Sequence, residues 1–259
     1  MNFQKNGGNF VSKTIEDSPG YKVDIGGIEL YYEYFGEETK SPTLIFDSGY
    51  GCPSSYWESI REGVSKLSKV VMYDRAGIGK SQKDNKSRTS RQIVEDLRNL
   101  LQQKEIKPPY VLVGHSFGGI NVRLYAGMYP EEVAAVILLD SSHADQNEKM
   151  IKLFSKEVQE DYFKGFEYEI SLSDFEESLE QVRAITSLGN IPLTVVTGGT
   201  QHHHTAESMA VWKELQKELA TLSNNSQHII IKDAGHGIHM SHPENVISII
   251  NDVLEKLKN

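Results

Sequence analysis

One cysteine, Cys52, is all that this 259-residue chain contains. No intrachain disulfide can form, and cysteine usage lends no support to a secreted scaffold. Long apolar runs are missing too: no stretch of about 18 apolar residues exists, so no membrane-spanning helix is expected. Residues 1–20 are polar and lack the apolar core of a signal peptide. Together these give a cytoplasmic expectation, provided that no leader has been removed. Positive charge is also short, with 27 Lys and Arg against 36 Asp and Glu and a net charge of −9. Phosphate backbones call for a basic surface, so nucleic acid is not an expected partner. No internal repeat or low-complexity tract is present.

What the chain does have is enough apolar content, 38%, for a substantial core, at a length that suits one large α/β domain. Residues 21–35 alternate on either side of Gly26-Gly27 and read as a hairpin. Short apolar strands then alternate with helical periodicity. Strands are expected at 43–46, 70–73, 110–113, 133–139, 192–196 and 228–231. Helices are expected at 53–67, 90–103, 206–222 and 243–257, with an amphipathic segment at 120–129 and Pro243 at a first helical position. That order predicts a mostly parallel sheet of about eight strands, covered by helices on both faces. Between the strand ending near Asp140 and the one starting at Pro192 the alternation stops. The domain reading is an N-terminal extension at 1–20, a core made of 21–144 and 190–259, and a charged, helix-prone insertion at 145–189. An insertion at the carboxyl end of a sheet strand is well placed to be a lid, since ligands bind there; the plainer alternative is ordinary surface helices.

Residues 111–119 carry the chemistry: Val-Leu-Val-Gly-His-Ser-Phe-Gly-Gly. A β-branched run ends in Gly114-His115-Ser116-Phe117-Gly118, and the helical segment follows at once. Strand, sharp turn and helix make this G-x-S-x-G a candidate nucleophile elbow. A serine hydroxyl needs a base. His236, in Ala234-Gly235-His236-Gly237 after the last strand, is the best placed of nine histidines, with His239 second. A histidine that merely caps its loop is the plain alternative. The third member should accept a hydrogen bond from the far ring nitrogen. The loop at 197–202 holds no carboxylate, whereas the strand before it ends in Asp140. Asp140 is the chosen acid and Asp145 the reserve; a structural role on backbone amides is the alternative. Two oxyanion donors are expected, the backbone N–H of Phe117 and that of Tyr50 in Asp47-Ser48-Gly49-Tyr50-Gly51-Cys52.

With these residues the chain resembles the α/β-hydrolase fold enzymes from about Tyr21 to Lys258. Phe46-Asp47-Ser48-Gly49-Tyr50-Gly51, Tyr73-Asp74-Arg75-Ala76-Gly77-Ile78-Gly79-Lys80-Ser81 and the segment around His236 carry the likeness, as does the order Ser116, Asp140, His236. Two departures stand out. Many members have His-Gly where Ser48-Gly49 stands here, which matters little for a backbone donor. Most place the acid after the later strand, near Gln201; a minority, some haloalkane dehalogenases among them, place it one strand earlier, as here. The serine at the elbow argues against dehalogenase and epoxide hydrolase chemistry, which uses aspartate there.

The resemblance implies a serine hydrolase acting on a small or medium uncharged ester, with no cofactor and no metal. Thioester, lactone, amide or carbon–carbon hydrolysis on the same residues is the alternative, as is a ligand-binding protein without catalysis. Other residues invite weaker readings. Asp74-Arg75 reads as a buried ion-pair and turn device, Arg123 as a surface or structural charge, and Cys52 as packing. His202-His203-His204 lacks the spacing of a metal site. Met150, Phe154, Phe163, Phe166 and Tyr168 either line an acyl pocket or form the insertion's own small core.

Overall fold

The computed structural model describes residues 20–202 and 204–258. The expected extension at 1–20 lies outside them, save Gly20. Strands β1 (Tyr21–Asp24) and β2 (Glu29–Phe35) form the predicted hairpin, paired antiparallel with Tyr21 opposite Tyr32 and Asp24 opposite Glu29. β3 (Thr43–Asp47) follows, then a 3₁₀ turn and helix α1 (Glu58–Ser65), strand β4 (Val70–Tyr73) and helix α2 (Ser90–Gln103). The single helix expected over 53–67 is thus a 3₁₀ turn at Ser54–Trp57 running into a shorter α-helix. β5 (Tyr110–His115) leads into α3 (Phe117–Met128), and β6 (Val133–Leu139) into the insertion.

The insertion carries α4 (Gln146–Lys149), α5 (Lys156–Lys164) and α6 (Leu172–Arg183). Ser155 and Ser171 cap α5 and α6 by accepting from the backbone N–H of Val158 and Asp174. The core resumes with β7 (Leu193–Gly198), α7 (Ala206–Ala220), β8 (Ser226–Ile231), α8 (Ile238–Ser241) and α9 (Pro243–Lys256), which has Pro243 at its start as expected.

The eight strands lie in the order β1-β2-β4-β3-β5-β6-β7-β8; β1, β2 and β4 pair antiparallel and every later pairing is parallel. Strand period decides the layering. Leu44, Phe46, Val111, Val113, Ala135, Ile137 and Leu139 face one side, where Trp57, Ile60, Val246 and Ile250 pack on them. Ile45, Leu112, Val136 and Leu138 face the other, under Leu97, Leu101, Val122 and Tyr125. Two-sided burial explains why these strands read as continuous apolar runs.

α3 departs from its expected amphipathic character. Ten of its twelve residues are buried, because it lies on the sheet and also packs against α2 and α6. A helix covered all round has no polar stripe to show. From β3 the chain moves to β4 on one side and then to β5 on the other, so its direction reverses at β3/β5. The carboxyl ends of those two strands form the crevice where ligands bind in such sheets.

Candidate active site

The elbow sits at that crevice. Ser116 has φ 53° and ψ −118°, a conformation costly for a residue with a side chain. Neighbours over-determine it: its N–H donates to Leu139 O, and its carbonyl accepts from Gly119 and Ser142. A Cβ on Gly114 would lie 2.5 Å from Gly118 O, and one on Gly118 would lie 2.1 Å from Asp47 O. Only glycine lets the turn fold this tightly against β3.

His236 lies on the loop after β8, and its Nδ1 is 2.6 Å from Asp140 Oδ2. Asp140, with φ 43° at the end of β6, is fully buried. An isolated carboxylate there would be costly, but each oxygen is satisfied. Oδ1 accepts from Gly198 N–H and Trp212 Nε1–H, both at 3.0 Å; Oδ2 accepts from Gln201 Nε2 at 2.6 Å as well as from His236. A proton held on Nδ1 by Asp140 leaves Nε2 as the basic nitrogen. His115, beside Ser116, brings its Nε2 within 2.8 Å of the His236 carbonyl, tying the elbow to the histidine loop. Burial, with His236 and His239 nearby, pushes the His115 pKa well below its ordinary value, so this ring is a neutral donor.

The reserve residues fall elsewhere. Asp145 pairs with Arg183 at 3.0 Å and Lys149 at 3.2 Å. His239 is fully buried against Tyr56, Trp57 and His115. Burial lowers its pKa to about 4.

The two expected oxyanion donors flank the elbow. Phe117 opens α3, whose N-terminal dipole favours negative charge. Tyr50 stands in a turn closed by Cys52 N–H on Gly49 O at 3.1 Å, with Gly51 at φ 68°. A positive φ at the third turn position is the type II pattern that calls for glycine. The Tyr50 and Phe117 rings meet edge-on, 6.2 Å between centroids.

A cavity of about 430 Å³ opens on this site, lined by both Ser116 and His236. Met150, Phe154 and Phe166 of the insertion line it; Phe163 and Tyr168 do not, and both are solvent-exposed. Asp74 and Arg75 do not pair with each other. Asp74 accepts from the Ser54 and Lys80 amides as a turn device, while Arg75 is ion-paired with Asp47 and with Glu169. Arg123 is structural, buried and donating to Ile185 O; burial lowers its pKa to about 10. Cys52 is half-buried, its thiol pushed up by burial.

His204 lines the cavity between the Phe154 and Trp212 rings, and His203 lies outside the described residues. His143, Asp145 and Glu218 converge closely enough to hold a cation. Lys149 Nζ already lies 3.2 Å from each of the two carboxylates and supplies that charge.

Sequence reasoning did not find Gln201, Trp212 or Glu169. Gln201 had a signal, since it stands in the loop where the resemblance implied the acid of most members; here its amide donates to Asp140. Trp212 showed only as one member of an apolar helix face. Nothing in a charged insertion marked Glu169 apart from its neighbours.

A model of the α/β hydrolase fold family matches residues 42–174. The chain belongs to the α/β-hydrolase fold family. It is 31% identical over 212 residues to the uncharacterized protein YqjL of Bacillus subtilis (strain 168), covering 82% of this chain and 83% of that one. Among solved structures, a thermophilic esterase from Thermogutta terrifontis superposes with a TM-score of 0.66 at 23% identity, over 93% of this chain and all of the other. A serine hydrolase involved in carbazole degradation gives 0.67 at 18% identity, over 92% and 98%. No helix among the described residues is long and apolar enough to cross a membrane.

Proposed function

We propose that this α/β-hydrolase cleaves a small or medium carboxylic ester through an acyl-enzyme on Ser116. The observation that carries the reading is the 2.6 Å contact of His236 Nδ1 with a buried, fully satisfied Asp140, on a ring that shares its cavity with Ser116. In this reading His236 Nε2 takes the Ser116 proton as Oγ attacks the carbonyl, and Asp140 stabilises the imidazolium. The amides of Phe117 and Tyr50 hold the oxyanion. His236 then protonates the leaving alcohol, and water repeats the sequence on the acyl-enzyme.

The cavity supports an uncharged substrate. Its walls are mainly apolar, with Phe154, Tyr162, Phe166, Phe175 and Trp212 around the serine, and no Lys or Arg is among its described lining residues. A free carboxylate on the substrate would lose its hydration there without gaining a cation. Residues 145–189 act as the lid in this reading, since they supply one wall of the cavity. The Thermogutta neighbour is an esterase and the carbazole neighbour a serine hydrolase, both compatible with this chemistry.

Stopped-flow hydrolysis of p-nitrophenyl butyrate tests the reading. A burst equivalent to one acyl group per protein is expected, absent in Ser116→Ala; an unchanged rate in that variant overturns it. A panel of thioesters, lactones and anilides then ranks the bond types.

A further inference from the structure

The insertion reaches back to the loop that carries Tyr50. Glu169, between the 3₁₀ turn at Gly165–Glu167 and α6, has a side chain 2% exposed. Its Oε1 accepts from Arg75 Nε at 2.5 Å; its Oε2 accepts from Arg75 Nη2 at 2.9 Å and from the Gly51 N–H at 2.6 Å. Arg75 extends the hold by donating to Ser48 O at 2.7 Å, Gly49 O at 2.8 Å and Asp47 Oδ1 at 2.6 Å. The Tyr50 phenol completes it. It accepts from the Glu169 and Ile170 amides at 2.9 and 3.2 Å and donates to Ile170 O at 3.0 Å. Burial alone would lower the Arg75 pKa, but Glu169 and Asp47 beside it carry it well above the ordinary guanidinium value.

The Gly51 N–H is therefore held by the Glu169 carboxylate, the Tyr50 ring by the Glu169–Ile170 backbone, and the Gly49 carbonyl by the Arg75 that Glu169 pairs with. The peptide between Gly49 and Tyr50 carries the proposed oxyanion N–H, and its plane turns with these anchors. Oxyanion donors act only when aimed at the developing charge beforehand. We propose that Glu169 is a positioning residue for the oxyanion hole, holding the 49–51 turn so that the Tyr50 amide faces the reacting carbonyl. Seating of the insertion and completion of the hole then become one event. The proposal rests on the serine-hydrolase reading of Ser116.

Glu169→Gln keeps size and shape but turns one acceptor into a donor. At least one contact among Arg75 Nε, Arg75 Nη2 and Gly51 N–H becomes donor against donor. The expected result with p-nitrophenyl butyrate is a kcat lower by roughly ten- to a hundredfold, part of what losing a whole donor costs, with KM little changed. Affinity for butylboronic acid, which forms a tetrahedral adduct on serine, should fall by the same factor as kcat/KM. Unchanged kcat, or lost kcat with undiminished boronate affinity, overturns the proposal.

If Glu169→Gln does not fold, Tyr50→Phe carries the test by the same criteria. It removes the phenol's bonds to the insertion and leaves the amide in place, and a smaller loss of the same pattern is expected. Ser116→Ala separates the two levels. If that variant keeps parental turnover, the serine-hydrolase reading fails and the proposal with it. If it is inactive while Glu169→Gln is fully active, the role of Glu169 alone fails.

Discussion

At the residue scale, Asp140 is structural in its bonds, and in the proposed mechanism it is also the acid of the triad. Gly198 and Trp212 satisfy one oxygen, and Gln201 and His236 share the other. Asp140→Asn keeps the shape, but whichever way the amide turns its NH2 group meets donors, Gly198 and Trp212 on one side or Gln201 and His236 on the other. Turnover should fall on the order of 10³- to 10⁴-fold, while circular dichroism shows a folded protein. Asp145→Asn is the control: its carboxylate belongs to Arg183 and Lys149, so activity should stay near parental. The reverse ranking would move the acid to Asp145. The sequence pointed to Asp140 by position alone, because a charged residue ending an apolar strand needs partners. The partners themselves come from the end of β7 and the loop after it, from α7 and from the loop after β8, all far from Asp140 in the chain. No local pattern joins them.

At the element scale, the parallel strands were legible because burial on both faces leaves an unbroken apolar run. Helices with one solvent face, such as α2 and α9, were legible through their period. α3 showed the weaker pattern, having no solvent face to set polar residues apart. The insertion resisted reading for a different reason. Its α4 and α5 are short and charged, and the inner side of α5 contacts a cavity, so apolar positions there follow cavity shape instead of a fixed period. α6 instead buries Phe175, Leu179 and Val182 against α2 and α3. That cavity makes a prediction for α5. Val158 lines it from a partly exposed helix, so Val158→Trp can be accommodated without disturbing the core. The indole should fill space used by longer acyl chains, lowering kcat/KM for p-nitrophenyl octanoate relative to acetate by about tenfold, a reasonable figure for one or two excluded methylenes. An unchanged chain-length profile would place the acyl group elsewhere.

At the scale of the whole molecule, buried histidines tie folding to pH. Burial holds His239 and His143 at about 4, against an ordinary value of 6.5. Both folded values lie below the unfolded one, so the unfolded chain binds more protons in that interval. Their contribution is complete above about pH 6.5 and is lost as the pH falls through about 4. For fully buried His239 it amounts to roughly 3 kcal/mol. Asp145, where Lys149 and Arg183 outweigh burial and hold the pKa low, adds to the loss further down. Urea unfolding at pH 7 and pH 4.5 should therefore show a marked drop in stability, and His239→Leu should flatten it. An equal drop in that variant would mean that the ring is not held neutral.

The central claim is that Ser116 is a nucleophile activated by His236. Fluorophosphonate labelling followed by peptide mass analysis tests it most directly. The account predicts a single adduct, on Ser116, absent in Ser116→Ala and much slower to form in His236→Ala. An unlabelled parental protein, or an adduct on any other residue, would contradict it.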